Sequence, residues 1–306
     1  MASMEKKVVA AHVLAFGTML IWGMSFIISK IALEYLTPFQ VLFWREVVSI
    51  LSLFVIYPKI LRWQGWRIEL QLFFASVSAM TVYQLLENYA VAFTEASNVS
   101  VIVSTAPFFT LLVARMLNKS ERFKRTFFLG FVCAMAGICL FSFNGAELRL
   151  GLLGDLLALL AAFSWGFYQS IVKNLSDKDI PQFSMTRRIF EYAALTLLPV
   201  ELFQISSQEL HNLFVPQSLY CIIFLGAICS ALCYLTWNFS IKMLGAIKSS
   251  VYIYLNPVTT LIGSAIVFSE RLGWVSLVGV VLTMAGLVIS NDDALELLHS
   301  LRRKQG

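Results

Sequence analysis

Arg45 and Glu87 are the residues of this chain best spaced to do chemistry. Each lies six residues inside an apolar run, Arg45 after the start of the second run and Glu87 before the end of the third. At about 1.5 Å per helical residue, both sit roughly 9 Å below a common surface. An isolated charge in hydrocarbon costs about 3 kcal/mol or more, and pairing lowers that cost. The two are therefore expected near one another or in one polar cluster. They could act as a static pair between two helices or as groups that bind a charged solute or a proton. Glu46 is a further acid in the second run, and it points away from Arg45 on the helix. It is the other candidate to neutralise Arg45, through a neighbour. Arg188 stands in a later run with Arg187 beside it and Glu191 three residues on. Local pairing along one helix face and contact with solute both fit Arg188.

Polar aromatic residues cluster in the same apolar runs: Trp22 in the first, Tyr83, Gln84 and Asn88 beside Glu87, and Trp165, Tyr168 and Gln169 in the sixth. Tyr234, Trp237 and Asn238 stand in the eighth, Tyr252 and Asn256 in the ninth. Buried amides and hydroxyls need partners, so they should face each other, water or a ligand rather than lipid. Tyr and Trp combine an apolar body with a polar tip, which suits a small organic solute. Together with Arg45, Glu87 and Arg188 these form the candidate substrate-binding set. No catalytic residue, cofactor or metal site is expected. HExxH, Ser–His and paired-Asp arrangements are absent, and so is a Walker A motif. The three His lie near the ends of apolar runs or in loops, and the five Cys lie within the runs without a His or acid to complete a metal site.

The elements that must position these residues are membrane-spanning helices. Hydrophobic residues make up 58% of the chain and charged residues 13%, against about 45–50% and about 25% in soluble domains. Mean hydropathy is +0.77. About ten apolar runs are long enough to cross a bilayer, near 10–29, 39–57, 70–93, 98–117, 126–143, 152–172, 183–203, 219–239, 246–268 and 272–290. With the N-terminus in the cytoplasm, 17 of the 23 Lys and Arg fall on inner segments, and the outer loops hold only Arg149 and Arg271. The positive-inside bias therefore predicts both termini cytoplasmic. The net charge of +5 does not point to nucleic acid, because the basic residues lie between apolar runs rather than along one face.

The chain also repeats itself. Trp22-Gly23, Lys30, Pro38 and Arg45 return as Trp165-Gly166, Lys173, Pro181 and Arg188, each 143 residues later. Asn88, Ala96, Pro107 and Thr110 return as Asn238, Ala246, Pro257 and Thr260, 150 later. Glu121-Arg122, Gly130 and Gly137 return as Glu270-Arg271, Gly279 and Gly286, 149 later. The position matching Glu87 is Trp237, so the acid is peculiar to one half, which favours a functional role for it. Five runs per half is an odd number, so the second half must enter the membrane from the opposite side. The expected architecture is all-α and polytopic: one repeat over 10–143, an inverted mate over 150–290, and an amphipathic cytoplasmic tail over 291–306. Pro107 and Pro257 are matching prolines inside runs and are candidate hinges. Gly130 and Gly137, with Gly279 and Gly286, mark packing faces between the fifth and tenth helices or between protomers.

The Trp-Gly first helix, the Pro…Arg second helix, Asn88-Tyr89-Ala90…Ala96-Ser97…Pro107 and Glu121-Arg122 with Gly130…Gly137 resemble one EamA unit, and the second half repeats them. The chain resembles a ten-helix, two-unit member of the drug/metabolite transporter superfamily. The resemblance implies a polytopic carrier of amino acids, metabolites or xenobiotics, typically an exporter, in a bacterial cytoplasmic membrane. Alternating access between the halves is the expected mechanism, with protons the candidate coupling ion and a monomer or homodimer the candidate assembly. A channel-like facilitator of small metabolites without ion coupling is the alternative. The expected partners are the lipid bilayer and a small-molecule substrate.

Overall fold

The computed structural model describes residues 2–94, 96–117, 125–142, 152–178, 180–268 and 274–290. Arg149, the pairs Glu121-Arg122 and Glu270-Arg271, and the tail 291–306 lie outside the described residues. Among the described residues all regular structure is helical. The helices are α1 (Ala2–Ala32), α2 (Pro38–Ile56), α3 (Trp66–Ser76), α4 (Gln84–Phe93), α5 (Ala96–Val103), α6 (Ala106–Leu117), α7 (Arg125–Ser142) and α8 (Leu152–Ser176). They continue as α9 (Gln182–Gln204), α10 (Ser207–Leu213), α11 (Pro216–Ile223), α12 (Cys233–Leu244), α13 (Ala246–Ser250), α14 (Leu255–Phe268) and α15 (Trp274–Ser290). Among the described residues, five helical stretches are long and apolar enough to cross a membrane: Glu5–Ala32, Pro38–Ile56, Asn98–Leu117, Leu152–Ser176 and Pro216–Leu244. Val13, Leu51, Leu129, Leu195 and Val281 are all more than half exposed. Outward apolar surface of that extent suits lipid, not water. The chain is a polytopic membrane protein.

Local sequence explains where helices start and stop. Pro38 opens α2, where a missing N–H costs nothing. Thr37 and Gln40 cap it reciprocally, with the Gln40 N–H donating to Thr37 Oγ1 at 3.3 Å and the Thr37 N–H to Gln40 Oε1 at 2.9 Å. Gly245, with φ of +88°, ends α12 and lets the chain turn directly into α13.

Four irregularities differ from the uniform runs expected from sequence, and they come in matching pairs. Val77–Tyr83 joins α3 to α4 as a π-helix, and Phe224–Leu232 joins α11 to α12 in the same way. The run 98–117 is interrupted by a turn at Ser104 and Thr105, and the run 246–268 by a 3-10 turn at Val251–Tyr254. Pro107 and Pro257 therefore do not kink the middle of continuous helices. Each stands in the first turn of the helix that follows the break, α6 or α14, where its ring is tolerated.

Packing joins the two halves rather than separating them. α1 packs on α12 and α14, α8 packs on α4 and α6, and α2 packs on α9 and on Phe224–Leu232. A Cβ on Gly23 would collide with Thr259 Oγ1 of α14, and one on Gly166 would meet the Phe109 carbonyl of α6 at 2.9 Å. Gly23 and Gly166 are repeat mates, as are Phe109 and Thr259, so the same contact is made twice. The most extensive pairing is α7 with α15. A Cβ on Gly130 would lie 2.6 Å from the Gly286 carbonyl oxygen, and one on Gly137 would lie 2.6 Å from that of Gly279. These pairings make α7 and α15 antiparallel, held at backbone contact by their glycines. The expected glycine faces thus meet within one chain, α7 against α15.

Candidate functional site

The first helix of each half brings its tryptophan to the centre of the bundle. The ring centroids of Trp22 and Trp165, which are repeat mates, lie 5.4 Å apart with planes at 85°. Tyr234 and Trp237 pack on Trp22 at 5.2 and 5.4 Å, and Tyr83 and Tyr168 pack on Trp165 at 4.9 and 5.0 Å. Trp22 meets Trp165 and Tyr234 edge to face, and the other contacts are tilted, geometry that adds attraction beyond simple burial. The Trp22 indole N–H donates to the Cys229 carbonyl at 2.7 Å. That carbonyl belongs to the π-helical stretch Phe224–Leu232, where the altered backbone pitch re-aims such groups.

Against this aromatic cluster lies a narrow cavity lined by Trp22, Ser25, Phe26, Arg45, Tyr83, Gln84, Glu87, Val103, Trp165, Tyr234, Ile253 and Asn256. Its volume is about 30 Å³, the share of about one water molecule in the liquid. Arg45 is 4% exposed and Glu87 5% exposed. Arg45 Nε and Nη2 donate to Ser230 Oγ at 3.2 and 3.0 Å, and no ion pair joins Arg45 to Glu87. The Arg45 charge and the Tyr83 hydroxyl both act on the Glu87 carboxyl. Asn256 Oδ1 and Gln84 Oε1 are buried acceptors without a donor. The cavity thus offers a guanidinium, a carboxylate and two unsatisfied amide oxygens inside an aromatic wall.

A second and larger cavity, about 940 Å³, opens at the end of the bundle that carries Lys173, Asp177 and Lys248. Its lining includes Val82 and Ser164, the neighbours in sequence of Tyr83 and Trp165.

Of the residues expected from sequence to bind substrate, Trp22, Arg45, Tyr83, Gln84, Glu87, Trp165, Tyr234 and Asn256 line the narrow cavity. Trp237 backs Trp22. Tyr168 donates to Asn238 Oδ1 at 2.6 Å, and Asn238 Nδ2 donates to Thr186 Oγ1 at 3.0 Å, so this pair lies behind the aromatic wall. Gln169 donates to Thr110 Oγ1 at 3.1 Å, Asn88 to the Pro38 carbonyl at 3.1 Å, and Tyr252 shares a 2.7 Å hydrogen bond with His12 Nδ1. Gln169, Asn88 and Tyr252 do not line the cavity.

Arg188 is also elsewhere. It donates to the Leu61 carbonyl and sits 3.6 Å from Glu191 and 4.0 Å from Glu69. Beside it the buried Arg187 donates to the carbonyls of Tyr57 at 2.6 Å and Lys59 at 2.5 Å, and to Glu191 at 3.1 Å. Both arginines clasp the end of α2 and the connection that follows it, where carbonyls lack helical partners. Sequence reasoning missed Ser230, the residue that Arg45 bonds. Its hydroxyl sits in an otherwise apolar stretch and carries no signal of depth. Phe26, Val103 and Ile253 were missed for a similar reason, being apolar residues in apolar runs.

Comparison with known proteins settles the family. Sequences of the EamA-like transporter family match twice, over residues 9–143 and 152–291. The chain belongs to the EamA-like transporter family. An uncharacterized transporter of Archaeoglobus fulgidus is 26% identical over 291 residues, covering 91% of this chain and 96% of that protein. A Salmonella typhimurium protein named as a probable amino-acid metabolite efflux pump is 26% identical over 292 residues, covering 90% and 93%. A protein of known crystal structure shares the fold at a TM-score of 0.71 and 14% identity, over 92% of this chain and 97% of that one. Family and relatives make this EamA-like chain a membrane transporter of small solutes and point away from an enzyme.

Proposed function

We propose that this EamA-like protein is a secondary transporter that moves small zwitterionic organic solutes, amino acids first among them, by alternating access. Ten membrane passes form two inverted five-helix repeats, over 10–143 and 150–290, with both termini in the cytoplasm of a bacterial cell and the chain in its inner membrane. The observation that carries this reading is the contact of Trp22 with its own repeat mate Trp165 at the wall of a cavity holding Arg45 and Glu87. Mates touch each other only where a pseudo-two-fold axis passes between them. The doubled contacts of Gly23 with Thr259 and Gly166 with Phe109, and the crossed glycines of α7 and α15, support the same axis. A site on such an axis can be reached from either side when the halves exchange conformations.

In this site Arg45 receives the solute carboxylate and Glu87 its ammonium group, each through a charge-assisted hydrogen bond. Trp22, Tyr83, Trp165 and Tyr234 enclose the rest of the solute and attract its cationic end. Asn256 Oδ1 accepts a hydrogen bond. The near absence of free volume in the narrow cavity marks this arrangement as a closed state. The cavity of about 940 Å³ at the Lys-rich end is the vestibule on the cytoplasmic side, as the positive-inside bias requires. Pro107 and Pro257 mark the helix breaks that would bend as the halves rock. Export is the direction favoured by the name of the Salmonella relative.

The test is counterflow in sealed proteoliposomes. Vesicles preloaded with unlabelled L-phenylalanine, or with each other zwitterionic amino acid in turn, should transiently accumulate the labelled form from outside. Equilibration without overshoot for every solute that enters would identify a channel-like facilitator. Entry of none would sink the amino-acid assignment.

A further inference from the structure

The Arg45 cluster contains two acids for one base. Glu46 is fully buried at 0% exposure, and neither of its carboxylate oxygens has a hydrogen-bond partner. It does not line the narrow cavity. Arg45, its neighbour in sequence, directs its Nε and Nη2 hydrogen bonds to Ser230. Glu87, across on α4, has the Tyr83 hydroxyl beside it and faces the cavity. The groups that act on Glu46 are Arg45 on its own helix, Gln84 on α4 and Tyr234 on α12. Cys229, from Phe224–Leu232, interacts with Arg45 and Glu87, and among the described residues α9 contributes no charged group that acts on Glu46.

With all three groups ionised the cluster would carry a net negative charge inside the bundle, where all three are buried. Burial of uncompensated charge is the costliest arrangement available, and a carboxyl escapes it by taking up a proton. One proton therefore belongs to the cluster. Glu87 faces the cavity, whereas both Glu46 oxygens are enclosed by protein and accept no hydrogen bond.

We infer that Glu46 is the proton-binding site of this transporter, protonated at neutral pH and shut off from both sides in the closed state. Protonation forms one O–H bond on a Glu46 oxygen, and release returns that proton to water when the halves separate. The neutral Glu46 leaves Arg45 and Glu87 as a balanced pair facing the solute. Ionised Glu46 competes for Arg45 and so for the solute carboxylate. Proton and solute occupancy are then linked reciprocally. Only this last step rests on the transport reading above; the protonation state does not.

Infrared spectroscopy of the purified full chain in lipid nanodiscs tests the assignment without any solute. At neutral pH the carbonyl-stretch band of protonated carboxyl groups should lose intensity in Glu46→Gln and keep it in Glu87→Gln. Glu201, buried near Glu209, would add to the same band if protonated, and Glu201→Gln locates its component. An unchanged band in Glu46→Gln, or a band lost in Glu87→Gln instead, overturns the assignment. Glu46→Met is the second variant: a neutral buried acid tolerates an apolar side chain of similar size. Failure of both Glu46 variants to fold would mean that the residue is an ionised partner of Arg45, which also overturns it. In proteoliposomes with tritiated L-phenylalanine, Glu46→Gln should keep counterflow and lose accumulation driven by an imposed pH gradient. Gradient-driven accumulation surviving in Glu46→Gln refutes the coupling role. Loss of counterflow in the wild type counts against the transport reading and leaves the infrared result standing.

Discussion

Replacing Gly137 by Ala tests the crossing of α7 and α15. The new Cβ would lie 2.5 Å from the Thr283 backbone nitrogen and 2.6 Å from the Gly279 carbonyl oxygen. Both are backbone atoms and cannot swing aside. Ordinary contact begins at 3.4 Å, so the helices must separate by about 0.8 Å along their closest line. Overpacking of this kind costs about 1–3 kcal/mol, which at about 2–4 °C per kcal/mol lowers the melting temperature by roughly 2–12 °C. Gly17 provides the control, since a Cβ there meets nothing within 4 Å. Gly17→Ala should hold or raise the melting temperature, because Ala favours a helix interior by up to about 1 kcal/mol. The assay is thermal unfolding of purified protein followed by fluorescence-detected size exclusion in one detergent. Gly137→Ala melting with the wild type, or Gly17→Ala falling as far as Gly137→Ala, would refute the packing argument. Counterflow below the melting temperature should be normal in both variants, since α7 and α15 contribute nothing to the narrow cavity.

Other consequences can be checked directly. Glu87→Gln removes the charged partner of the solute ammonium, worth about 1.5–3 kcal/mol in a desolvated site, so binding should weaken about 10–150-fold by scintillation proximity. An affinity unchanged in this variant places the ammonium elsewhere. Arg187→Met leaves the carbonyls of Tyr57 and Lys59 without their donor and should destabilise the fold by about 2–4 kcal/mol in denaturant titration. Arg188→Met, with its weaker contacts, should cost less, and a reversed order would contradict the clasp. Single cysteines added at the two chain ends should both resist a membrane-impermeant maleimide applied to intact cells, and labelling of either end would invert the proposed orientation.

Much of this architecture was legible in the amino-acid order because it is written twice. Trp22 and Trp165, or Gly130 and Gly279, announce equivalent places without any knowledge of contacts. The depth argument for Arg45 and Glu87 also needed only helical rise and the edges of apolar runs. The helix breaks were harder to foresee. A π-helical stretch such as Val77–Tyr83 has the same composition as its α-helical neighbours. The breaks before Pro107 and Pro257 depend on how α5 and α13 are held by other helices. Arg188 was misleading for a different reason. Its partner Leu61 offers a main-chain carbonyl, and every residue has one, so no side-chain pattern marks the pairing. The unequal fates of Arg45 and Arg188 show that a shared scaffold need not conserve the use of a repeated residue.

The interleaving of the two halves has a consequence for biosynthesis. Gly23 finds its closest neighbour at Thr259, 236 residues further along. At about 5–20 residues per second, the ribosome needs roughly 10–50 s to deliver that partner. During this interval the first helix has been inserted while its small-residue face is still unoccupied. Cells making this protein must keep that helix from joining a stranger, and the margin narrows whenever translation slows.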